Sequence, residues 1–524
     1  MTSNTSSWKS IVERKRAERA SRIPKAWLLP RSINEKQTAS PLSLIKYSGL
    51  LSQRELELTS EQHDASSLLQ QFASCKVTST ELVSAFSKRA AIAHQLTNCL
   101  TEILFESAIA RAKELDQHLQ QTGKMIGPLH GLPITFKDSF HIKGHDASIG
   151  ITGLCFGPSQ RSSLLYDILT AYGAVVIAKT TIPQTLLNAD TDSIGTLLAL
   201  GGTALGIGTD GAGSIRMPAA VNGVVGYKPS GYRLPVDTRR ILGTGVVGTT
   251  MLGSVTVAGF LGCSVGDVTL AAKLAAEAQP WEKDPIVYPY VWQGLQVPAA
   301  HELRIGVWSV NGFLHLHPPV QQGLATAKHR LRSAGVDLVE FQGPDWMELQ
   351  DLSYLRELLS KETHTERVKA TGIITRKTPP PPVTVQYLHT MNARISSLVR
   401  QMHAAWSKYG KPIDALFGSM RRTQPCHSIN TPNLGFTGLF NLIDWPGVAL
   451  PLNVYADKNL DRKTPVTPFN ALEAEIQDLY DPDTFHGLPL SVQLIGRRFE
   501  DEKLLSISQV VHGIIANQPS HPKL

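Results

Sequence analysis

Helical segments alternate with apolar strands along this chain of 524 residues. The clearest junction is ILTAYGAVVIAKT (168–180), in which a helix end passes through Gly173 into the β-branched run VVIA. A second apolar strand lies in GPLHGLPITFKDSF (127–140). Such alternation is typical of an α/β fold, in which helices cover both faces of a β-sheet.

Two helical patterns precede these strands. At 66–95 and 106–120, apolar residues recur at spacings of three and four, as on the buried face of a helix. Ser79 or Thr80, just before GluLeuVal, is the predicted N-cap of the second half of the first pattern.

Residues 300–410 have a different character. Charged helical patterns dominate there and are interrupted by four prolines at 379–382, whereas strand-like runs return afterwards in NLIDWPGVALPLNV and HGLPLSVQLIGRR. A run of prolines is typical of a rigid connector. The sequence therefore predicts a helical extension over 1–59 and a main domain over 60–515, with a mostly helical insert at about 300–410.

The basic charge of the chain is concentrated at one end. The formal net charge is +7, and the first 25 residues hold seven basic against two acidic side chains. Nucleic-acid binding usually requires basic residues spread over a face and interleaved with aromatics. We therefore expect no nucleic-acid partner, and we interpret the segment as a solvated helix anchored by Trp8, Ile11 and Val12 and ended by Pro24.

Cysteine and histidine patterns favour neither disulfides nor metal. The five cysteines show no CxxC spacing, and the 17 histidines show no HExxH arrangement. This usage fits a reducing compartment, so we expect a cytoplasmic protein without a metal site. For His130 and His145 we expect structural or surface roles.

One long uncharged segment invites a membrane interpretation. No charged residue occurs from Ile241 to Gly266, a length that can cross a bilayer. The segment holds seven glycines and several hydroxyl residues, a composition poor in large aliphatic side chains. We therefore predict buried strands and turns here, and no stable membrane span.

The densest glycine stretch is LALGGTALGIGTDGAGSIRMPAA (198–220). Gly206 to Gly211 formally matches the dinucleotide pattern GxGxxG, which requires a helix opening at the third glycine and an acid about 20 residues on. Pro218 falls where that helix should continue, and no acid stands near position 231. A dinucleotide enzyme is therefore a distant alternative.

The same stretch has the composition of a nucleophile loop. Glycines around Ser214 allow successive N–H groups to converge on one oxygen, and the flanking Asp210 and Arg216 are suited to hold the loop. Acyl transfer also needs a base. Lys137 ends the apolar strand LPITF, and burial would make its neutral, basic form accessible. The alternative is a strand-end lysine that reaches solvent.

Three blocks resemble, in order, the signature of the amidase signature family. They are GPLHGLPITFKDSFHIKGHDASIG, AYGAVVIAKTTIPQTLLNADTD and GIGTDGAGSIRMPAAVNGVVGYKPS, and the nearest likeness is to fungal acetamidase-type and general amidases. The resemblance extends over most of the chain from about residue 60, so that 60–515 would be the amidase signature domain.

The resemblance implies a fold, a reaction and roles for residues. The fold would be an α/β/α sandwich with a large twisted mixed sheet flanked by helices. The reaction would be hydrolysis of a small-molecule carboxamide through a Ser–cis-Ser–Lys triad, without metal or other cofactor. Ser214 would form the acyl-enzyme and Lys137 would be the ultimate base. The backbone N–H groups of Gly211, Ala212, Gly213 and Ser214 would form the oxyanion hole.

One family element is missing. The relay serine of the family stands in a GGSSGG block about two dozen residues before the nucleophile, and this chain has no such block. Ser193, Thr196 and Thr203 are nearby hydroxyls outside the matching motif. Two interpretations stay open: an amidase sequence that lost an internal segment through a faulty gene model, or a catalytically impaired pseudoenzyme or binding protein. The oligomeric state is also open, with a homodimer among the alternatives.

Overall fold

The computed structural model describes residues 8–30, 33, 40–183, 186, 193–238, 256–308, 315–344, 384–408, 410–419, 435–469 and 471–516. Eleven strands within these ranges form a mixed β-sheet flanked by helices. The predicted α/β class is therefore confirmed.

The bounds of the elements are as follows. The α-helices of the described ranges are α1 (Trp8–Ser21), α2 (Pro41–Tyr47), α3 (Gln53–Leu58), α4 (Ala65–Ala73), α5 (Ser79–Thr97), α6 (Phe105–Thr122), α7 (Leu164–Ala171), α8 (Ile194–Ala199), α9 (Arg216–Asn222), α10 (Val265–Glu277), α11 (Pro318–Ser333), α12 (Val385–Trp406), α13 (Gly435–Leu442), α14 (Ala471–Asp478), α15 (Pro482–Phe485) and α16 (Asp501–Ala516). The strands are β1 (Leu100–Ile103), β2 (Pro133–Lys137), β3 (Val175–Thr180), β4 (Leu205–Asp210), β5 (Val225–Lys228), β6 (Val257–Gly262), β7 (Arg304–Val307), β8 (Asp337–Glu340), β9 (Ala415–Ser419), β10 (Gly447–Tyr455) and β11 (Pro489–Ile495).

The chain divides into two compact units whose segments interleave in sequence. Within the described residues, the first unit comprises Met1–Gly208, Pro235–Ile241 and Phe260–Val287. The second comprises Thr209–Leu234, Leu242–Gly259 and Tyr288–Leu524. The boundary predicted at residue 59 stays a prediction.

In the first unit, β2 is the central strand. It pairs in parallel with β3 on one side and with β4 on the other, while β1 runs antiparallel to β3. All five residues of β2 and all six of β3 are buried, as expected for a sheet covered by helices on both faces. The sequence predicted β2, β3 and the helices α5 and α6, but not β1, because four residues between two helices give little periodicity to detect.

The predicted N-cap of α5 was wrong by one or two residues. Thr78 caps the helix, because its hydroxyl accepts the N–H of Glu81. The N–H groups of Ser79 and Thr80 instead donate to the carboxylate of Asp116 at 2.7 and 2.9 Å. A carboxylate from α6 therefore accepts two N–H groups of the first turn, which have no partner within the helix.

Of the anchors predicted for the first helix, Trp8 was wrong, whereas Ile11 and Val12 are half-buried. In α1, Trp8 is 62% exposed, and no residue of the helix is fully buried. Instead, Arg19 donates to the carbonyl oxygen of Leu100 and to the side chain of Asn98, both at 2.8 Å. Basic side chains thus attach α1 to the first unit, and the helix is not merely solvated.

In the second unit, strands pair in the order β5, β10, β11, β9, β7, β8. The first three of these pairings are antiparallel and the last two are parallel. Strands β7 and β8 come from the range 300–410, which therefore contributes strands as well as the helices α11 and α12. The four prolines at 379–382 lie outside the described residues.

The uncharged segment at 241–266 is described from residue 256 onward. There, β6 is buried at all six positions and α10 begins directly after it. For this part, the predicted buried strand is confirmed. None of the helices in the described ranges is both long and apolar enough to cross a membrane.

Candidate active site: the Ser214 loop and the Lys137 turn

The glycine-rich stretch forms a strand, a loop and a short helix. Gly206 and Gly208 lie inside β4, and the next helix, α9, begins only at Arg216. A Cβ on Gly206 would lie 2.0 Å from Cγ2 of Ile194, so this glycine permits close packing of α8 on the strand. The described stretch from Gly206 to Gly211 thus lacks the turn that a dinucleotide motif requires after its first glycine.

The carboxylate of Asp210 organises the loop that holds Ser214. It accepts the backbone N–H of Gly213 at 2.6 Å, of Ile215 at 3.3 Å and of Arg216 at 3.4 Å. Three converging N–H groups fix the backbone on both sides of Ser214, whose side chain is half-buried. The nucleophile candidate is therefore presented by a rigid loop rather than by a mobile one.

Arg216 completes this arrangement. Its Nε lies 3.1 Å from Oδ2 of Asp210, and both side chains are fully buried. Burial alone would raise the pKa of Asp210, but the charge of Arg216 and its hydrogen bonds hold that pKa well below its ordinary value. The predicted role of Asp210 and Arg216 in holding the loop is confirmed.

Gly213 is at a position that only glycine fits. Its φ is +129°, and a Cβ there would lie 2.3 Å from Oγ1 of Thr437. The Thr437 hydroxyl donates to the carbonyl oxygen of Ala212 at 2.6 Å. The loop backbone is thus pressed against α13, which leaves no room for a side chain at Gly213.

The sequence did not predict the residues of α13 that hold Arg216 and Asp210 in place. Arg216 also donates to the carbonyl oxygen of Thr437 at 2.8 Å and to the amide oxygen of Asn441 at 2.7 Å. The Asn441 amide nitrogen donates back to the main-chain and side-chain oxygens of Asp210, each at 3.0 Å. These partners are more than 200 residues away in sequence, and no local motif marks them.

Lys137 ends β2 in the first unit. It is only 7% exposed, so the predicted burial is confirmed and the alternative of a lysine reaching solvent is wrong. A tight turn follows, because the N–H of Phe140 donates to the Lys137 carbonyl oxygen at 3.0 Å. Within the turn, Asp138 accepts the N–H of Ile149 at 2.7 Å and the hydroxyl of Thr101 at 2.9 Å.

The nearby hydroxyls differ in their surroundings. Thr203 donates to the carbonyl oxygen of Leu205 and accepts from the hydroxyl of Thr135, the middle residue of β2. Thr135 lies two residues before Lys137 on this strand, about 7 Å from it at the usual rise per residue. Ser193 is buried directly before α8, and Thr196 lies within that helix.

The two histidines that flank the Lys137 turn differ in burial and in their partners. His130 is fully buried, and its Nδ1 accepts the N–H of Ile126. Burial lowers its pKa, which keeps the ring neutral. His145 is half-buried, with Nδ1 at 3.4 Å from the Glu102 carboxylate. In the described ranges, no group of three or more His, Cys, Asp or Glu side chains is arranged to hold a metal ion.

Comparison with known proteins decides the family. The model of the Amidase family matches residues 81–197 and 194–505. The chain belongs to the amidase signature family. An amidase of Gibberella moniliformis is 32% identical, with 96% of this chain and 98% of that protein covered. An acetamidase of Emericella nidulans is 30% identical over 98% of this chain and 99% of its own length.

Solved structures agree with this assignment. A fatty acid amide hydrolase superposes with a TM-score of 0.89 at 25% identity, covering 99% of this chain and 96% of its own. A bacterial aryl acylamidase of the amidase signature enzymes shares the fold, with a TM-score of 0.63 at 17% identity over 87% of this chain and 99% of its own. The predicted sandwich fold is confirmed, and the chain is an amidase by family.

Proposed function

We propose that this amidase cleaves a small or medium carboxamide through an acyl-enzyme on Ser214. Oγ of Ser214 attacks the carbonyl carbon, and its proton passes toward Lys137. That proton then goes to the leaving amine as the C–N bond breaks, and water hydrolyses the ester to release the acid and restore the serine. The rigid, half-buried presentation of Ser214 by Asp210 and Arg216 is the observation that carries this proposal.

The oxyanion of the tetrahedral intermediate would be held by loop N–H groups. Gly211, Ala212, Gly213 and Ser214 are the proposed donors. The N–H of Gly213 already donates to Asp210 at 2.6 Å, so its contribution requires sharing that hydrogen bond. Gly211, Ala212 and Ser214 therefore carry the larger part of this role, in a loop that is fixed before substrate arrives.

We further propose that the relay segment of the family is missing from this chain. The family model matches in two pieces that meet at residues 194–197, at the position where the relay block should stand. The alignment with the Gibberella relative runs over 543 positions, more than the 524 residues of the chain, so the relative has residues that this chain lacks. Proton transfer between Ser214 and Lys137 would then need direct contact or a bridging water.

The second candidate function follows from the same gap. A protein with the amidase pocket but without an effective proton relay would bind amides and turn them over slowly or not at all.

For either function, we expect a protein of the cytoplasm that needs neither metal nor nucleic acid. A homodimer is one alternative for its oligomeric state, which multi-angle light scattering would measure.

A fluorophosphonate probe separates the two functions. It reacts only with an activated serine, so labelling that disappears in Ser214→Ala and in Lys137→Met supports the hydrolase. Labelling that survives in Ser214→Ala would show that another serine reacts. Folded protein that is not labelled at all would favour the binding protein and overturn the proposed reaction.

A further inference from the structure

Buried acidic side chains surround the turn that follows Lys137. Asp138 lies in that turn, Asp146 lies in the segment after it, and Glu102 lies on β1, and all three are buried. Lys179 on β3 is a buried cation among them: it donates to the carbonyl oxygen of Asp146 and lies 3.8 Å from Oδ1 of Asp138. One lysine of the sheet thus contacts the carboxylate of Asp138 and the main chain at Asp146.

Helix α1 supplies further positive charge. Nζ of Lys15 lies 2.6 Å from Oε1 of Glu102 and 2.8 Å from Oδ2 of Asp146, and Arg22 lies 4.0 Å from Glu102. Burial alone would lower the pKa of Lys15, but its hydrogen bonds to Asp146 and Glu102 raise it above the ordinary value. Burial alone would raise the pKa of Glu102, but hydrogen bonds from His145 and Lys15 lower it. Lys15 and Glu102 therefore form a charged pair.

The cluster is connected to the Lys137 turn through the chain segment 146–156. Oδ2 of Asp146, which Lys15 contacts, also accepts the N–H of Phe156 at 2.7 Å. Ile149, between these residues, donates its N–H to Asp138 at 2.7 Å. One segment is thus held at Asp146 by α1 and at Ile149 by the turn itself.

Removal of the Lys15 charge would change this balance. Arg22 stays 4.0 Å from Glu102 but makes no ion pair with Asp146. Buried carboxylates without a close partner are strongly unfavourable, so Lys179 is drawn toward them or the segment moves toward water. Either response withdraws Lys179 or Ile149 from Asp138. Both responses loosen the residue next to Lys137.

We propose that Lys15 of the N-terminal helix is a positioning residue for the Lys137–Phe140 turn. Helix α1 is then a support of the active site rather than a separate extension. The catalytic consequence rests on the proposed role of Lys137 as the base, whereas the structural consequence does not.

The test compares three full-length variants. Lys15→Gln removes the charge, Lys15→Arg restores it, and Arg16→Gln removes a charge from the exposed face of the same helix. Hydrogen exchange of the Ile149 and Phe156 amides reports the segment, and the rate of fluorophosphonate labelling at Ser214 reports the site. Lys15→Gln should exchange faster at both amides and label about 10- to 100-fold more slowly, since misplacement by about 1 Å can cost 10²-fold. Lys15→Arg and Arg16→Gln should resemble the parent protein.

Other results would overturn the proposal. Unchanged exchange in Lys15→Gln would show that Lys15 does not hold the segment. Faster exchange with unchanged labelling, while Lys137→Met abolishes labelling, would show that the contact does not position the base. If Lys137→Met also labels normally, the proposed function is wrong while the structural link stands. Unfolding of Lys15→Gln alone would mean that Lys15 acts on global stability and not on this turn.

Discussion

The substitution Arg216→Met tests the frame of the Ser214 loop most severely. Both Arg216 and Asp210 are fully buried and lie 3.1 Å apart. Removing one partner of such a pair leaves an uncompensated buried charge and typically costs about 3–5 kcal/mol. Asp210 would keep its three backbone N–H donors and the Asn441 amide. We therefore expect a loss near the lower end of this range, about 3 kcal/mol.

A matched control exists in an exposed ion pair. Arg161 is 70% exposed and forms an ion pair with Asp237, so Arg161→Met should cost only about 0–1 kcal/mol. Urea unfolding, followed by tryptophan fluorescence and far-ultraviolet circular dichroism, gives both free energies of unfolding. Fluorophosphonate labelling should also fall in Arg216→Met and not in Arg161→Met. Equal losses of stability in the two variants would refute the buried-pair reasoning.

Three further predictions concern single side chains. Gly213→Ala should destabilise the protein by about 1–3 kcal/mol more than Gly144→Ala in urea unfolding, since both have positive φ but only the Cβ at Gly213 meets an atom within 4 Å. Equal losses would contradict the predicted clash. Thr437→Val removes the hydroxyl that donates to the carbonyl oxygen of Ala212, so the free energy of unfolding should fall by about 1 kcal/mol and fluorophosphonate labelling of Ser214 should slow. Labelling at the parent rate would mean that this hydrogen bond does not order the loop. Burial and the neighbouring Asp64 raise the pKa of Asp267 to about 7. The folded state therefore binds more protons than the unfolded state between about pH 4 and 7, and the free energy of unfolding falls as pH rises through this window. Asp64→Asn should flatten this pH dependence in urea unfolding, and an unchanged slope would contradict the coupling between the two carboxyl groups.

The sequence predicted well where pattern and chemistry are local. The strands β2 and β3 were recognisable because short β-branched runs between helical patterns are typical of buried strands. Asp210 and Arg216 could be assigned to the Ser214 loop because they flank it directly. The resemblance of three blocks then placed the chain in its family.

The sequence did not predict the contacts between residues that are far apart in the chain. Thr437 and Asn441 contact the loop from a helix more than 200 residues later, and neither stands in a recognisable motif. The attachment of α1 was misjudged for a related reason. Its apolar residues suggested hydrophobic anchors, but Trp8 is exposed, and a basic side chain binds acidic partners on β1 and after the Lys137 turn. A charge pattern on one helix does not reveal which carboxylates are buried elsewhere.

The most direct test of the account compares two chains: this one, and a version with a family-type GGSSGG segment inserted between Ile194 and Gly195. The rate of hydrolysis of a simple amide is measured for both, each with its Ser214→Ala variant. General acid–base assistance contributes about 10²–10⁴-fold, so the chain with the segment should hydrolyse the amide faster by a factor in that range. Both activities should disappear in Ser214→Ala. Equal, Ser214-dependent rates would show that a residue already present serves as the relay, and would contradict the proposed loss.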